Sequence, residues 1–134
     1  MVSMTGVYQG NLRTEVTHLR SGNRIITDAP PDNNGKGEAF SPTDLTCASF
    51  NSCMMTLMGM LAERENIVLT GLRSEIVKVM ASNPRKIAEI HINFYHENLN
   101  ATTLQKEKLR RAALTCPVAL SLPETVKQVV NFNF

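Results

Sequence analysis

The chain has 134 residues, of which 43% are hydrophobic and 19% charged, and its formal net charge at pH 7 is +2. These values predict one globular domain over residues 1–134 that buries roughly two thirds of its unfolded surface. So small a charge gives no electrostatic case for nucleic-acid binding. The one basic cluster, around Arg110 and Arg111, is explained by the solvated face of a helix.

The first residues, MVSMTGVYQGN, lack a basic region followed by an apolar run, so no signal peptide is predicted. We therefore expect a cytoplasmic protein in a reducing compartment, where a stable structural disulfide is not expected. The three cysteines, Cys47, Cys53 and Cys116, cannot all pair. Each thiol is therefore a core residue, a metal ligand or a redox group.

The first elements predicted along the chain are strands. Residues 7–19 alternate loosely between apolar and polar side chains, and the β-rich run 24–29 follows a turn at 20–23. The two segments predict a β-hairpin. The next segment, PPDNNGKGE at 30–38, consists of turn-forming residues and predicts one long loop.

A long helix is predicted after this loop. Ser41 suits the cap position, Pro42 suits the first helical position, and Asp44 completes a short capping box. The apolar pattern runs to about residue 66, which gives about 25 residues and about 37 Å. The stretch 45–62 is long enough to span a membrane, but its polar residues and flanking charges favour a buried core helix. One small sheet cannot cover so long a helix, which favours a partner chain.

The second half of the chain predicts a hairpin, a helix and a strand. Residues 73–82 and 87–97 alternate on either side of a turn, 102–116 form an amphipathic helix that Cys116-Pro117 ends, and 124–134 alternate again. The order ββ–α–ββ–α–β predicts an α+β fold in which antiparallel sheets pack on one long buried helix, with a second helix beside it.

The candidate chemistry lies in two cysteines. Cys53 lies in the middle of the long helix and Cys116 at the C-terminal end of the second, where the helix dipole disfavours a thiolate. A nucleophilic Cys53 therefore requires a nearby cation, and Arg20 and Arg24 on the first hairpin are the candidates. Cys47 lies about 120° from Cys53 around the helix and is expected to pack in the core.

An acidic residue would orient that arginine. Asp44 lies about 180° around the helix from Cys53 and about 13.5 Å along it. It can therefore act on Cys53 only across a dimer interface. Glu38, from the long loop, is the alternative.

The segments GKGEAFSPTDL, SFNSC and LTCPV resemble the osmotically inducible protein C family, which includes the organic hydroperoxide resistance proteins. The resemblance spans essentially the whole chain. It implies an intertwined homodimer with active sites at the subunit interface. It also implies that Cys53 is the peroxidatic thiol and Cys116 the resolving thiol. The match favours Arg20 over Arg24 as the activating cation.

By this resemblance the chain is expected to be a peroxidase that reduces organic hydroperoxides through a Cys53 sulfenic acid and a Cys53–Cys116 disulfide, in defence against oxidative and osmotic stress. A cellular dithiol or a lipoyl group would restore the thiols. No bound cofactor or metal, and no nucleic-acid or membrane partner, is expected. An apolar pocket beside Cys53 would favour organic peroxides, and its expected lining is Phe50, Met54, Leu57 and Met58.

Other hypotheses remain open. Peroxidases of the family begin the long helix with Asn-Pro-Glu, whereas this chain has Ser-Pro-Thr followed by Asp44, which resembles the general branch. The chain could therefore be a non-catalytic dimer that binds a small molecule or senses redox state. A metal site would combine Cys53, Cys116 and a histidine, although the spacing matches no compact ligand motif. The candidate histidines are His18, His91 and His96.

Overall fold

The computed structural model describes all 134 residues. The chain forms two compact units, Met1–Thr46 and Cys47–Phe134, and the boundary falls within the long helix. The elements in chain order are β1 (Met4–Gly10), β2 (Arg13–His18), β3 (Arg24–Asp28), α1 (Pro42–Arg64), β4 (Arg73–Ala81), β5 (Lys86–Tyr95), α2 (Thr103–Leu114), α3 (Pro117–Ser121) and β6 (Lys127–Asn133). The α+β prediction with one long helix is confirmed.

The first unit contains a three-stranded antiparallel sheet in the order β1-β2-β3. The prediction of a single strand over 7–19 is wrong, because the chain turns at Gly10, Asn11 and Leu12, all with positive φ. Gly10, at φ 83, uses the freedom of a residue without a Cβ. The Gly-Asn pair is the turn signal that the loose alternation concealed.

The sheet of the first unit leaves large apolar side chains uncovered. Val7 is 62% exposed and Tyr8 65%, while Ile25 and Ile26 on β3 are 43% and 41% exposed. The strand register places Val7 and Ile26 on one face of the sheet and Tyr8 and Ile25 on the other, so apolar side chains are exposed on both faces. Exposed apolar side chains of this size are typical of a sheet that another protein surface covers in an assembly.

The second unit contains a sheet in the order β4-β5-β6. The predicted β4–β5 hairpin is confirmed as an antiparallel pair, but β6 pairs with β5 in parallel. The all-antiparallel prediction is therefore wrong at β6. The reason is the connection through α2 and α3, since parallel neighbours need a crossover of this length.

The core of the second unit is built on one face of α1. Cys47, Phe50, Met54, Met58 and Leu61 recur at helical spacing and are buried. Further core residues come from β5 (Ile90, Ile92, Phe94) and from the α2–α3 segment (Leu109, Ala113, Cys116). By length and composition alone α1 could cross a membrane, but a core helix has the same properties. The packing of this face agrees with the predicted core helix.

Candidate functional site

Cys53 lies at the middle of α1, where it is partly exposed and packs against the core. Of the four residues predicted to line an apolar pocket, Phe50, Met54 and Met58 have no exposed area. These three side chains fill the core of the second unit. Leu57 is partly exposed. It is the one member of the four that can line an open surface.

Cys116 does not sit at the C-terminus of a helix. Helix α2 ends at Leu114 with Thr115 as its C-cap, and Cys116 is the N-cap of the five-residue α3. Its Sγ accepts a hydrogen bond from the backbone N–H of Ala119 at 3.3 Å. The predicted unfavourable dipole at Cys116 is therefore wrong, because Pro117 starts a new helix instead of only ending the old one.

Cys53 packs against the buried cluster that contains Cys116, and the two thiols interact. Burial raises the pKa of Cys116, and the hydrogen bond and charge of Cys53 raise it further, while the N–H groups of Ala119 and Val118 act in the opposite direction. Cys116 has no exposed area, and none of the three cysteines forms a disulfide. Cys116 is thus held as a neutral thiol beside a partly exposed Cys53 thiol.

Asp44 forms the predicted capping box at the start of α1. The backbone N–H of Ser41 donates to Asp44 Oδ2 at 3.0 Å, and the N–H of Asp44 donates to Ser41 Oγ at 3.0 Å. Each side chain satisfies a backbone donor that a helix N-terminus would otherwise leave without a partner. The structure thus gives Asp44 a structural role in its own chain.

Glu38 belongs to a cluster around a buried carboxylate. Asp28, with no side-chain exposure, accepts hydrogen bonds from Arg13 Nε at 2.7 Å and Arg13 Nη2 at 2.8 Å, and from the backbone N–H of Glu38 at 3.2 Å. Glu38 Oε2 lies 3.6 Å from Arg13 Nη2. Arg13 and Asp28 are direct partners in the β2–β3 register, so a correct strand assignment is the signal that would have found this pair.

Both candidate cations of the first unit, Arg20 and Arg24, are exposed. Arg20 lies in the exposed turn after β2 and lines an open cavity of about 660 Å³ with neighbours that include His18 and Leu19. Arg24 Nη1 lies 3.6 Å from Glu15 Oε1. Of the predicted site residues, Cys53 and Cys116 are the two that the structure brings together.

Each of the three histidines has a hydrogen-bond partner within the chain. His18 Nδ1 is 2.6 Å from Ser21 Oγ, His91 Nε2 is 3.2 Å from Glu89 Oε1, and His96 Nε2 is 3.0 Å from the carbonyl oxygen of Thr70. No group of three or more His, Cys, Asp or Glu side chains is placed to hold a metal ion. This geometry gives the metal hypothesis no support.

Acid is expected to destabilise the fold through Asp28. The hydrogen bond from Arg13 lowers the pKa of Asp28 below its ordinary value of 3.8. A carboxyl whose pKa is lower in the folded state stabilises the fold above the unfolded value, and this stability is lost as the pH falls through the folded value. The free energy of unfolding should therefore decrease as the pH falls from above 3.8 towards the lower folded pKa.

Urea unfolding at a series of pH values measures this loss. Asp28→Asn should be less stable than wild type at pH 7 and should show a flatter acid dependence. Glu124→Gln, which changes an exposed carboxylate, is the matched control and should follow wild type. Equal slopes for wild type and Asp28→Asn would contradict the assignment.

Comparison with known proteins agrees with the fold. The family model of OsmC-like protein matches residues 35–130. The chain therefore belongs to the OsmC-like family. No curated protein matches it.

Solved structures extend the match over the whole chain. A crystal structure from Psychrobacter arcticus 273-4, of a protein whose name proposes a role in osmotic stress and detoxification, is 44% identical, with a TM-score of 0.92 and coverage of 99% of this chain and 96% of that chain. An OsmC-like protein of unknown function from Vibrio cholerae is 15% identical, with a TM-score of 0.80 and 97% coverage of both chains.

An organic hydroperoxide resistance protein from Legionella pneumophila is 15% identical, with a TM-score of 0.66 and coverage of 100% of this chain and 98% of that chain. At this low identity, the Vibrio and Legionella structures show a shared fold alone.

Proposed function

We propose that this protein is a cysteine peroxidase that reduces organic hydroperoxides in the cytoplasm as part of a stress response. The observation that carries the proposal is that Cys53 packs against the buried cluster that contains Cys116, so that two thiols from distant parts of the chain interact. The Psychrobacter relative's name proposes detoxification, and the Legionella relative is an organic hydroperoxide resistance protein. Both names agree with this chemistry.

Cys53 is the attacking thiol in the proposed reaction, because it is the partly exposed member of the pair. Its thiolate attacks the terminal oxygen of the hydroperoxide and the O–O bond breaks. The alkoxide leaves, takes up a proton and becomes the alcohol. Cys53 is left as a sulfenic acid, two electrons more oxidised than the thiol.

Cys116 then resolves the sulfenic acid. Its sulfur forms a bond to Cys53 Sγ, and the hydroxyl of the sulfenic acid leaves as water with the Cys116 proton. Because the two thiols already interact, this step needs little movement of the chain. A dithiol, either a small molecule or a lipoyl group, reduces the disulfide and is itself oxidised to a disulfide. The cycle uses no bound cofactor.

An arginine is proposed to hold the Cys53 thiolate. The charge of Arg13 is already compensated by Asp28, which makes it a poor source of attraction for a further anion. Arg20 is exposed, and the proposal keeps it as the activating cation. Glu38 and Asp44 are the proposed orienting acids, although each has a structural contact in its own chain.

The proposed working form is a homodimer. The family is typically dimeric. The uncovered apolar side chains of β1 and β3, such as Tyr8 and Ile25, need a covering surface, and a second copy of the chain can supply it. In this assembly the partner copy can contribute Asp44 or Arg20 to the site.

The effect of replacing Arg20 distinguishes a peroxidase from a protein that only binds a small molecule. We expect Arg20→Ala to slow the hydroperoxide-dependent loss of the Cys53 thiol by about tenfold to a hundredfold, since a charge-assisted contact to the thiolate is lost. The measurement is the rate of thiol loss with cumene hydroperoxide at fixed pH. Arg24→Ala, which changes the other candidate arginine, is the matched control.

If Arg20→Ala and wild type react at the same rate, Arg20 is not the activating group. If neither protein loses the Cys53 thiol, the peroxidase proposal fails. In that case the alternative of a dimer that holds a small ligand is favoured.

A further inference from the structure

The two sulfurs of the proposed redox pair differ in their access to solvent. Cys116 has no exposed area, and Cys53 is partly exposed. Thiol–disulfide exchange requires the incoming sulfur to approach one sulfur of the disulfide in line with the bond that breaks. A reductant that attacked Cys116 would have to pass through the protein interior, whereas a reductant can reach Cys53 directly from solvent.

The hydrogen-bond partners of the two sulfurs differ as well. Cys116 Sγ accepts a hydrogen bond from the backbone N–H of Ala119 at 3.3 Å. The partial positive charge of this N–H is held in place by the backbone. A sulfur that leaves a disulfide departs as a thiolate, and hydrogen bonds to the charged form are the stronger ones. The Ala119 N–H is therefore already aimed at the place where negative charge would develop if Cys116 were expelled.

From these two asymmetries, and resting on the proposed disulfide, we infer that the reductant attacks Cys53 Sγ and that Cys116 is the leaving group, with the Ala119 N–H as the group that receives its charge. In the first step the reductant thiolate forms a bond to Cys53, the Cys53–Cys116 bond breaks, and Cys116 leaves as a thiolate that then takes up a proton. In the second step the other thiol of the reductant, as its thiolate, displaces Cys53. The reductant ends as a disulfide and both cysteines as thiols.

This direction assigns a positioning role to Ala119 through its backbone. It also means that both reactants must reach Cys53: the hydroperoxide in the first half-reaction and the reductant thiol in the second. Cys53 is thus the one sulfur that reacts with molecules from solvent, and Cys116 stays buried throughout the cycle.

The position of a trapped adduct tests the inference. The purified protein is oxidised with diamide, which forms the disulfide without any peroxide activity, and is then mixed briefly with N-acetylcysteine. After acid quenching, peptide mass spectrometry locates the N-acetylcysteine adduct. We expect at least about ten times more adduct on Cys53 than on Cys116. Equal adducts, or more on Cys116, would overturn the inference, and so would the absence of a Cys53–Cys116 disulfide after diamide.

A backbone variant tests the role of the hydrogen bond. Ala119→Pro removes the N–H but keeps the carbonyl oxygen, and proline is tolerated in the first turn of a helix. We expect about tenfold slower reduction of the diamide-formed disulfide, because the leaving thiolate loses a donor. In the Cys53→Ser background, the same change should raise the pKa of Cys116, as followed by thiolate absorbance.

Ala119→Gly, which retains the N–H, is the matched control and should leave both readings unchanged. An unchanged reduction rate in folded Ala119→Pro would refute the role of the N–H. If that variant does not fold, the adduct position in the wild-type protein still decides which sulfur is attacked. Because diamide makes the disulfide, a failure of the peroxidase proposal and a failure of this inference give different results.

Discussion

Cys53→Ser is expected to abolish hydroperoxide turnover, with a loss of at least about a thousandfold. The serine hydroxyl is similar in size to the thiol but is a far weaker nucleophile, and the variant cannot form a sulfenic acid. Cys116→Ser should behave differently. It should keep the first oxidation, consume one equivalent of peroxide and accumulate the Cys53 sulfenic acid, because the resolving thiol is missing.

The measurement is the loss of cumene hydroperoxide in the presence of dihydrolipoamide, with the sulfenic acid trapped by dimedone. Cys47→Ser is the matched control, because Cys47 is on the same helix and forms no disulfide, but is not part of the pair. Its turnover should stay within about threefold of wild type, since a buried change of this kind acts on stability. Turnover by Cys53→Ser at the wild-type rate would refute the assignment of the attacking thiol.

Phe94→Ala is expected to have the largest effect on stability, about 3–5 kcal/mol in the free energy of unfolding. Phe94 has no exposed area and belongs to the core cluster of the second unit. Its ring stacks on Phe132 with centroids 5.6 Å apart, which ties β5 to the parallel strand β6. The substitution removes the buried ring and leaves a cavity between these strands.

Equilibrium unfolding in urea measures this effect. Leu120→Ala is the control, since Leu120 is 75% exposed and its change should stay within about 0.5 kcal/mol. A loss below about 1 kcal/mol for Phe94→Ala would show that the core of the second unit is not organised around this strand.

The elements with strong local signals were predictable from the sequence. Helix α1 begins at Pro42 as predicted, because Ser41 and Asp44 form a capping box whose residues are adjacent in the chain. The β4–β5 hairpin was equally accessible, since both strands alternate and a turn separates them. These predictions depended on local geometry, which sequence patterns record directly.

The remaining features depend on relations between distant residues. The parallel pairing of β6 is decided by the path through α2 and α3. The cap at Cys116 depends on a five-residue helix that is too short to show a period. The Arg13–Asp28 pair requires the register of two strands, which was missed when the turn at Gly10 was read as part of one strand. The cysteine pair itself was expected only from resemblance to a family.

The most direct test of the central claim is the state of the two thiols after one equivalent of cumene hydroperoxide. The reduced protein is treated without any reductant, digested under acid and analysed by mass spectrometry. The account predicts one disulfide between Cys53 and Cys116, with the Cys47 thiol unmodified. If both thiols of the pair remain free after the peroxide has been added, the two-cysteine peroxidase is contradicted.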